Sequence, residues 1–200
     1  MTLDQFKQVW AKAAAKTAAR EKDYSALDAA AGGDGDHGEA IVAATKALAA
    51  AEGADFKSLL EGMVERLESD VSGSTSSLYG TLFEGMADAV DAGKTELTAT
   101  EIAEMFAAGL EELSFATKAK VGDKTFMDAL IPAIEALGAH AAEGEAAMFA
   151  AAAAAAKAGS EATAQMQAKY GRAKNLGERS IGPIDAGSAS NADIWSCFQM

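Results

Sequence analysis

The sequence contains a single cysteine, Cys197, among its 200 residues. One thiol excludes an intramolecular disulfide framework and favours a reducing compartment. The N-terminal stretch MTLDQFKQVWAKAAAK carries charged and polar residues where a signal peptide would have an apolar core. No uninterrupted apolar run reaches the roughly 18 residues of a membrane span. These absences predict a cytoplasmic protein that does not act in a membrane.

The chain is also poor in positive charge. Its 17 Lys and Arg residues stand against 30 Asp and Glu residues, which gives a formal net charge of −13. Surfaces that bind nucleic acid or anionic lipid are basic, so neither partner is expected. A polyphosphate ligand would be repelled as well, unless divalent cations accompany it. A phosphate site in this chain would therefore require bound metal ions.

Proline is scarce, and the alternating Val, Ile and Thr pattern of strands is missing. Pro132 and Pro183 are the two prolines, whereas Ala, Leu, Glu and Lys recur with helical spacing. Half of the residues are hydrophobic, which is enough for one buried core. We predict a single all-α domain over residues 1–200. Its helices are expected at 3–20, 38–51, 55–69, 77–92, 99–113, 123–139, 143–169 and 188–198.

Capping residues support four of the predicted helix starts. Thr2, Asp55 and Asp123 each precede a helical pattern and can accept a hydrogen bond from its first turn. Thr98 is followed three positions later by Glu101, which completes a capping box. These residues fix where the helices of the predicted bundle begin.

Four loops contain more glycine, hydroxyl groups and charge than a simple connection needs. They cover residues 27–39, 70–80, 120–128 and 170–190. In an antiparallel bundle, alternate loops lie at the same end. The composition therefore predicts one shared polar site at one end of the bundle.

The first of these loops, LDAAAGGDGDHGE, concentrates carboxylates on a flexible backbone. Gly33 and Gly35 keep the segment out of a helix, so Asp34 and Asp36 can point to one side. Unpaired, these carboxylates would repel each other, and a hard divalent cation removes that repulsion. Oxygen ligands suit Mg²⁺ or Ca²⁺, and Asp28 could supply a third.

Other interpretations of this loop remain open from spacing alone. An EF-hand beginning at Asp28 is disfavoured, because Ala30 and Gly32 would occupy two of its side-chain ligand positions. An Asx-turn with helix-capping aspartates is the structural alternative to a metal site. His37 could be a ligand, a general base or a contact to a bound molecule, or it could hydrogen-bond the backbone.

The other three loops fit phosphate recognition without requiring it. The hydroxyl-rich stretch SGSTSS (72–77) precedes a helix, as in many anion sites, but it could also be an ordinary linker. GDKT (122–125) is typical of a turn followed by a helix. The stretch 170–180 carries three cations, of which Arg172 could clamp a phosphate. Alternatively, these cations complement a helix dipole.

Taken together, four stretches resemble the nucleotide-binding subunit of the dihydroxyacetone kinases, the DhaL family. They are LD…GDGDHG (27–38), SGSTSSLYGT (72–81), GDKTFMDA (122–129) and QAKYGRAKNLGERSIGPIDAG (167–187). The last stretch is the most specific, and the resemblance covers nearly the whole chain. It implies a barrel of eight antiparallel α-helices with a nucleotide bound at one end.

The resemblance also implies a set of site residues. Three aspartates would hold Mg²⁺, and members of the family bind two such ions. The three are Asp28, Asp34 and Asp36. ADP or ATP would contact His37, Gly38, Ser74, Thr75, Phe126, Arg172, Asp185, Ala186 and Gly187. Arg172, together with the backbone amides of the hydroxyl loop, would position the phosphates during transfer and is the expected catalytic residue.

By this resemblance, the chain is a phosphotransferase subunit that is active only with a partner. A DhaK-like subunit would hold the ketose on its own histidine, and this chain would supply the phosphoryl group. The donor could be ATP, or a DhaM-like phosphotransferase-system protein that rephosphorylates bound ADP. The ketose could be dihydroxyacetone or a four-carbon relative.

The sequence departs from the family pattern at several positions. Five residues separate Asp28 from Asp34, where family members usually have four, and serines occupy positions 72 and 76 in place of glycines. Ala186 replaces a proline. These changes leave one alternative open: a degenerate, non-catalytic subunit that binds nucleotide and regulates another protein.

Overall fold

The computed structural model describes residues 1–199, and nine α-helices follow one another along them. They are α1 (Leu3–Ala19), α2 (Glu21–Ala30), α3 (His37–Ala49), α4 (Phe56–Asp70), α5 (Ser74–Asp88), α6 (Ala99–Ala116), α7 (Met127–His140), α8 (Glu145–Ala162) and α9 (Ala186–Ser196). Short 3-10 segments cover Ala141–Glu143, Thr163–Gln165 and Arg172–Ser180. Over residues 1–199, β structure is limited to one isolated bridge between Thr2 and Glu96. The predicted all-α class is confirmed.

Eight of these helices close into a ring. Each helix from α3 to α8 packs against the next one in the chain, while α1 packs against both α9 and α3. Short connections between neighbours that pack side by side make successive helices antiparallel. The helix α2 lies outside the ring, against α3 and α9. The predicted barrel of about eight helices is confirmed, with α2 as an addition.

Aromatic side chains fill the interior of the ring. Phe198, just beyond α9, is fully buried and lies against five other rings at centroid distances of 5.1 to 6.2 Å. Those rings belong to Phe6, Trp10, Phe106, Phe149 and Trp195. Burial of such large apolar surfaces is the main stabilising contribution to this core.

Three of the four predicted helix caps form as expected. Thr2, Asp55 and Thr98 each accept a hydrogen bond from the backbone of the first helical turn and complete a capping box. Asp55 Oδ1, for example, lies 2.8 Å from the amide of Ser58. Satisfying the free amides of a helix start typically contributes about 1 kcal/mol per cap.

The fourth cap was predicted wrongly. The helix α7 begins at Met127, not at Asp123, and its cap position is Phe126. Asp123 lies earlier in the loop, where its carboxylate accepts from the amide of Lys120 at 3.0 Å and pairs with Lys169 Nζ at 2.7 Å. The carboxylate therefore links the loop before α7 to the segment that contains Lys169, and it does not cap a helix.

One helix was missed and others have different bounds from those predicted. The first predicted helix ended at residue 20 and residues 27–39 were expected to be a loop, whereas the structure has the helix α2 directly after Arg20, whose φ is −115°. The helix α5 begins at Ser74, so the hydroxyl stretch forms its first turn. The helix α8 ends at Ala162, well before residue 169, and a segment without α-helix runs from there to Asp185. No helix among residues 1–199 has the length and apolar character needed to cross a membrane.

Candidate functional site

A cavity of about 530 Å³ lies where the four unusual loops meet. Its walls come from residues 28–40, 72–79, 117–126, 170–173 and 185–190. The cavity is within the range of about 300–1,000 Å³ that is typical of small-molecule sites. The expected convergence of these loops at one end of the barrel is therefore present in the structure.

Three carboxylates meet at this cavity. Asp28 lies in the last turn of α2, Asp34 in the following loop, and Asp36 at the cap position of α3. Each offers an oxygen atom, and these atoms all lie within 4.8 Å of one another. The helix α2, which was not predicted, is the element that brings Asp28 to the other two despite the longer spacing.

Glycines make the aspartate loop possible. The amide of Gly35 donates to Asp28 Oδ2 at 2.8 Å, and Gly35 has a φ of +79°. A Cβ atom at Gly33 would overlap the carboxylate of Asp28. Gly35 needs a left-handed backbone, which other residues adopt only with strain, and a side chain at Gly33 would require the Asp28 carboxylate to move.

The carboxylate cluster fits a hard divalent cation. Three carboxylates this close carry up to three negative charges, and the cation paired with them is Arg172, whose guanidinium contacts Asp34. Both partners of that ion pair are substantially exposed, so it is screened by solvent and can exchange. Carboxylate oxygens with open solvent-facing positions match the coordination of Mg²⁺, which retains several water or phosphate ligands.

The start of α5 faces the same cavity with unsatisfied amides. Gly73 occupies the cap position with a φ of +87° and supplies no side chain to the first turn. Ser72, Ser74 and Thr75 line the cavity beside it. Free amides, together with the positive end of the helix dipole, favour an anion such as a phosphate at this position.

His37 lies in the cavity wall as a neutral hydrogen-bonding group. Its Nε2 atom is 2.9 Å from Ser190 Oγ, and its ring packs edge-on against Tyr24. Burial lowers the pKa of the imidazole, opposed in part by the charge of Asp28. His37 is thus held in a fixed orientation at the cavity.

Gly38, in contrast, is not part of the cavity wall. It is buried against α2, where a Cβ atom would overlap the carbonyl oxygen of Glu21. Its missing side chain allows α2 and α3 to approach closely. All the other predicted nucleotide contacts line the cavity.

Phe126 and the start of α9 also line the cavity. The ring centroid of Phe126 lies 6.0 Å from that of Tyr79, and a Cβ atom added at Gly187 would lie 3.1 Å from the Cβ atom of Phe126. Asp185 caps α9, with its Oδ2 atom 2.7 Å from the amide of Ser188. Burial raises the pKa of Asp185 to about 7, against the lowering effect of that hydrogen bond. This wall combines an aromatic face with a carboxyl group that is easily protonated.

Several cavity residues were not predicted, and Lys124 is the most unusual of them. Its side chain is buried, and its φ of +59° is the sole positive value among the non-glycine residues of the described chain. Tyr79, Ser190 and Tyr170 also line the cavity. The GDKT motif indicated a turn at Lys124, but spacing offered no signal that its ammonium would be buried.

Comparison with known proteins gives a consistent result. The DAK2 domain profile matches residues 31–199. The chain is 35% identical to the ADP-binding subunit DhaL of the PEP-dependent dihydroxyacetone kinase of Escherichia coli, over 79% of this chain and 78% of that protein. It is 34% identical to a corresponding subunit of Listeria innocua, over 86% and 82% of the two chains.

Solved structures show the same fold. The dihydroxyacetone kinase of C. freundii superposes with a TM-score of 0.77 at 26% identity, over 96% of this chain. A second crystal structure of the C. freundii enzyme, with AMP-PNP and Mg²⁺, gives the same TM-score at 25% identity. The present chain spans 33% of the length of those structures. Profile, sequence and fold agree: the chain belongs to the DAK2 domain family, among the DhaL-type subunits of dihydroxyacetone kinases.

Proposed function

We propose that this chain is the nucleotide-binding subunit of a short-chain ketose kinase. It presents Mg²⁺-bound ATP, either taken up as such or formed by phosphorylation of bound ADP, for phosphoryl transfer to a ketose that a DhaK-like partner subunit holds. It acts in the cytoplasm and is inactive without that partner. The observation that carries the proposal is the meeting of Asp28, Asp34 and Asp36 at a cavity that also contains Arg172 and the open start of α5.

The aspartates are the metal ligands in this proposal. Mg²⁺ held by them, with two ions as the expected number, would neutralise charge on the nucleotide phosphates and on the transferred phosphoryl group. The carboxylates orient toward one point because α2 and the glycines of the loop fix their backbone. This arrangement lets a protein with a net charge of −13 accept a polyanion.

The remaining cavity residues position the nucleotide. Amides at Ser74 and Thr75 donate to phosphate oxygens, and Arg172 exchanges its ion pair with Asp34 for a phosphate contact. Phe126 and the backbone at Ala186 and Gly187 line the same cavity and would contact the base and ribose. No side chain of this chain has to act as a nucleophile, because transfer runs from the nucleotide to the ketose on the partner.

The relatives support this role and leave the ketose open. Two relatives that the match covers over 78% and 82% of their own length are named ADP-binding subunits of PEP-dependent dihydroxyacetone kinases, which favours a phosphotransferase-system donor over free ATP. A D-erythrulose kinase of Mycolicibacterium smegmatis is also 35% identical over 86% of this chain. Dihydroxyacetone and a tetrulose are both candidate substrates, since the partner selects the ketose.

A non-catalytic regulatory subunit is the less favoured alternative. It would follow if the extra residue before Asp34 displaced Asp28 from the cluster. The convergence of all three carboxylate groups argues against that displacement.

Reconstitution with a DhaK-like subunit tests the proposal. The two purified chains are combined with dihydroxyacetone or erythrulose, and ketose phosphate is measured with ATP or with phosphoenolpyruvate and the phosphotransferase-system proteins. Product formation that requires both chains and Mg²⁺ supports the kinase role, and the donor that works decides between the two branches. Failure with every donor and ketose, despite tight nucleotide binding, would favour the regulatory alternative.

A further inference from the structure

The segment between α8 and α9 carries much of the cavity wall but contains no α-helix. It runs from Thr163 to Asp185, and its residues Tyr170, Gly171 and Arg172 line the cavity. A segment of this length without α-helix needs contacts that hold its two ends together, because chain entropy would otherwise keep it mobile. Lys124 lies between these two ends.

The ammonium group of Lys124 joins the two ends of the segment. Its Nζ atom donates to the carbonyl oxygen of Thr163 at 2.6 Å and to that of Pro183 at 2.6 Å. Next to it, the amide of Gly182 donates to Ala164 at 2.9 Å. One side chain from the turn before α7 therefore bridges residues that are 20 positions apart in the chain.

The turn that carries Lys124 is built around a buried carboxylate. Asp128, in the first turn of α7, accepts from the amide of Gly122 at 2.6 Å and from that of Thr125 at 2.7 Å. Lys124 lies between these two amides with its left-handed backbone, a conformation that is costly for lysine. A glycine would adopt it freely, so the presence of lysine indicates that its side chain is needed.

The buried ammonium is also placed to balance charge in the cavity wall. Asp185 and Asp128 are the carboxylates that act on it, and both favour its charged form against the effect of burial. A charged donor forms stronger hydrogen bonds to carbonyl groups than a neutral one. The two bonds to Thr163 and Pro183 are therefore well suited to hold the segment in one position.

We propose that Lys124 is a positioning residue, whose ammonium closes the Thr163–Pro183 segment and thereby holds Arg172 and Asp185 at the cavity. The effect of Lys124 on nucleotide binding rests on the proposed function. The effect of Lys124 on the order of the segment does not, so the two effects can be tested separately.

The first test is hydrogen–deuterium exchange on the nucleotide-free protein. Lys124→Met removes the charge and keeps an aliphatic chain, whereas Lys124→Gly removes the side chain and relieves the backbone. Lys157→Met, on an exposed face of α8, is the matched control for loss of one lysine. We expect at least tenfold faster exchange across residues 164–182 in both Lys124 variants, with protection elsewhere as in the wild type.

The second test is a double-variant cycle on the affinity for Mg²⁺–ADP, measured by titration calorimetry. Lys124→Met and Arg172→Ala are each expected to weaken binding about tenfold or more. If Lys124 acts through Arg172, then Arg172→Ala in the Lys124→Met background should weaken binding less than about threefold further. A residue that only stabilises the fold would give additive effects.

Several outcomes would overturn the assignment. They are unchanged exchange over 164–182, faster exchange throughout the molecule, full additivity in the cycle, or wild-type behaviour of Lys124→Gly alongside a defective Lys124→Met. If Lys124→Met does not fold, Lys124→Gly carries the exchange test alone. Absence of Mg²⁺–ADP binding in the wild type would refute the proposed function, while the exchange comparison would still decide the role of Lys124.

Discussion

Asp36 carries its carboxylate to the cavity without a side-chain hydrogen bond to the rest of the described chain. Its charge therefore serves no evident role in folding. The neighbouring Asp28, by comparison, also accepts a bond from the aspartate loop. Removing the charge of Asp36 alone therefore tests its role as a metal ligand without breaking a hydrogen bond that supports the fold.

We predict that Asp36→Asn abolishes Mg²⁺-dependent nucleotide binding, because an amide is a poor replacement for an anionic ligand of a hard cation. Far-UV circular dichroism should remain that of the wild type. Asp88→Asn, at the end of α5, is the matched control and should bind normally. Retained affinity in Asp36→Asn would count against its role as a ligand.

Arg172 is the second residue with a charge that the fold hardly uses. Its side chain is 63% exposed and pairs only with Asp34 in the described structure. We predict that Arg172→Ala lowers the rate of phosphoryl transfer with the partner about tenfold or more, while urea unfolding is unchanged. Arg179→Ala, in the same segment, should transfer at the wild-type rate. An unchanged rate in Arg172→Ala would remove this residue from the site.

The raised pKa of Asp185 predicts a pH dependence of stability. Burial raises that pKa in the folded protein from 3.8 to about 7, so the unfolded chain loses its proton at lower pH than the folded one. Ionisation of buried Asp185 lowers the free energy of unfolding. This destabilisation is absent below pH ~4, grows as pH rises toward 7, and is complete above 7.

We therefore expect Asp185→Asn, which keeps an acceptor for the cap of α9, to stabilise the metal-free protein at pH 8. The gain over the wild type should be about 1 kcal/mol or more, since one pKa unit corresponds to about 1.4 kcal/mol. The gain should disappear at pH 4. Urea unfolding in EDTA at both pH values measures it, and a gain that is equal at pH 4 and pH 8 would contradict the burial argument.

At the scale of elements, the close packing of α2 against α3 holds the aspartate loop. Gly38 has no space for a Cβ atom beside Glu21, whereas Gly80, in α5, has nothing within 4 Å of that position. We predict that Gly38→Ala destabilises the protein by about 1–3 kcal/mol, as overpacking does. Gly80→Ala should be neutral or slightly stabilising, because alanine favours a helix. Thermal unfolding compares them, and equal melting temperatures would refute the packing argument.

The boundaries show which elements the sequence could predict. Local signals were sufficient where a cap acts within its own turn, as at Thr2, Asp55 and Thr98. They were insufficient for α2, whose cap residue Arg20 makes no side-chain cap and instead pairs with Asp193 in α9. A contact between residues so far apart leaves no pattern in a short window of sequence.

In the site, too, the sequence could predict the residues with local signals but not those that depend on contacts between distant residues. The carboxylate pair Asp34 and Asp36 follows from spacing, and Asp28 from the family resemblance together with its position. Lys124 was missed because propensity disfavours a left-handed lysine, and only the carbonyls of Thr163 and Pro183 explain its position. Tertiary contacts decided this part of the site.

At the scale of the whole molecule, charge links the fold to the proposed function. The chain carries a net charge of −13 and concentrates three carboxylates at the cavity where the four loops meet. Without metal, this end of the barrel would repel a nucleotide; with divalent cations it attracts one. Nucleotide binding is therefore expected to require Mg²⁺ at the aspartate cluster.

Titration calorimetry of ADP into nucleotide-stripped protein measures this dependence on Mg²⁺. The titration is carried out once with Mg²⁺ and once with EDTA, at the same ionic strength. We predict tight binding with Mg²⁺ and at least a hundredfold loss of affinity in EDTA. Equal affinity in the two buffers, or no binding in either, would contradict a metal–nucleotide site at Asp28, Asp34 and Asp36.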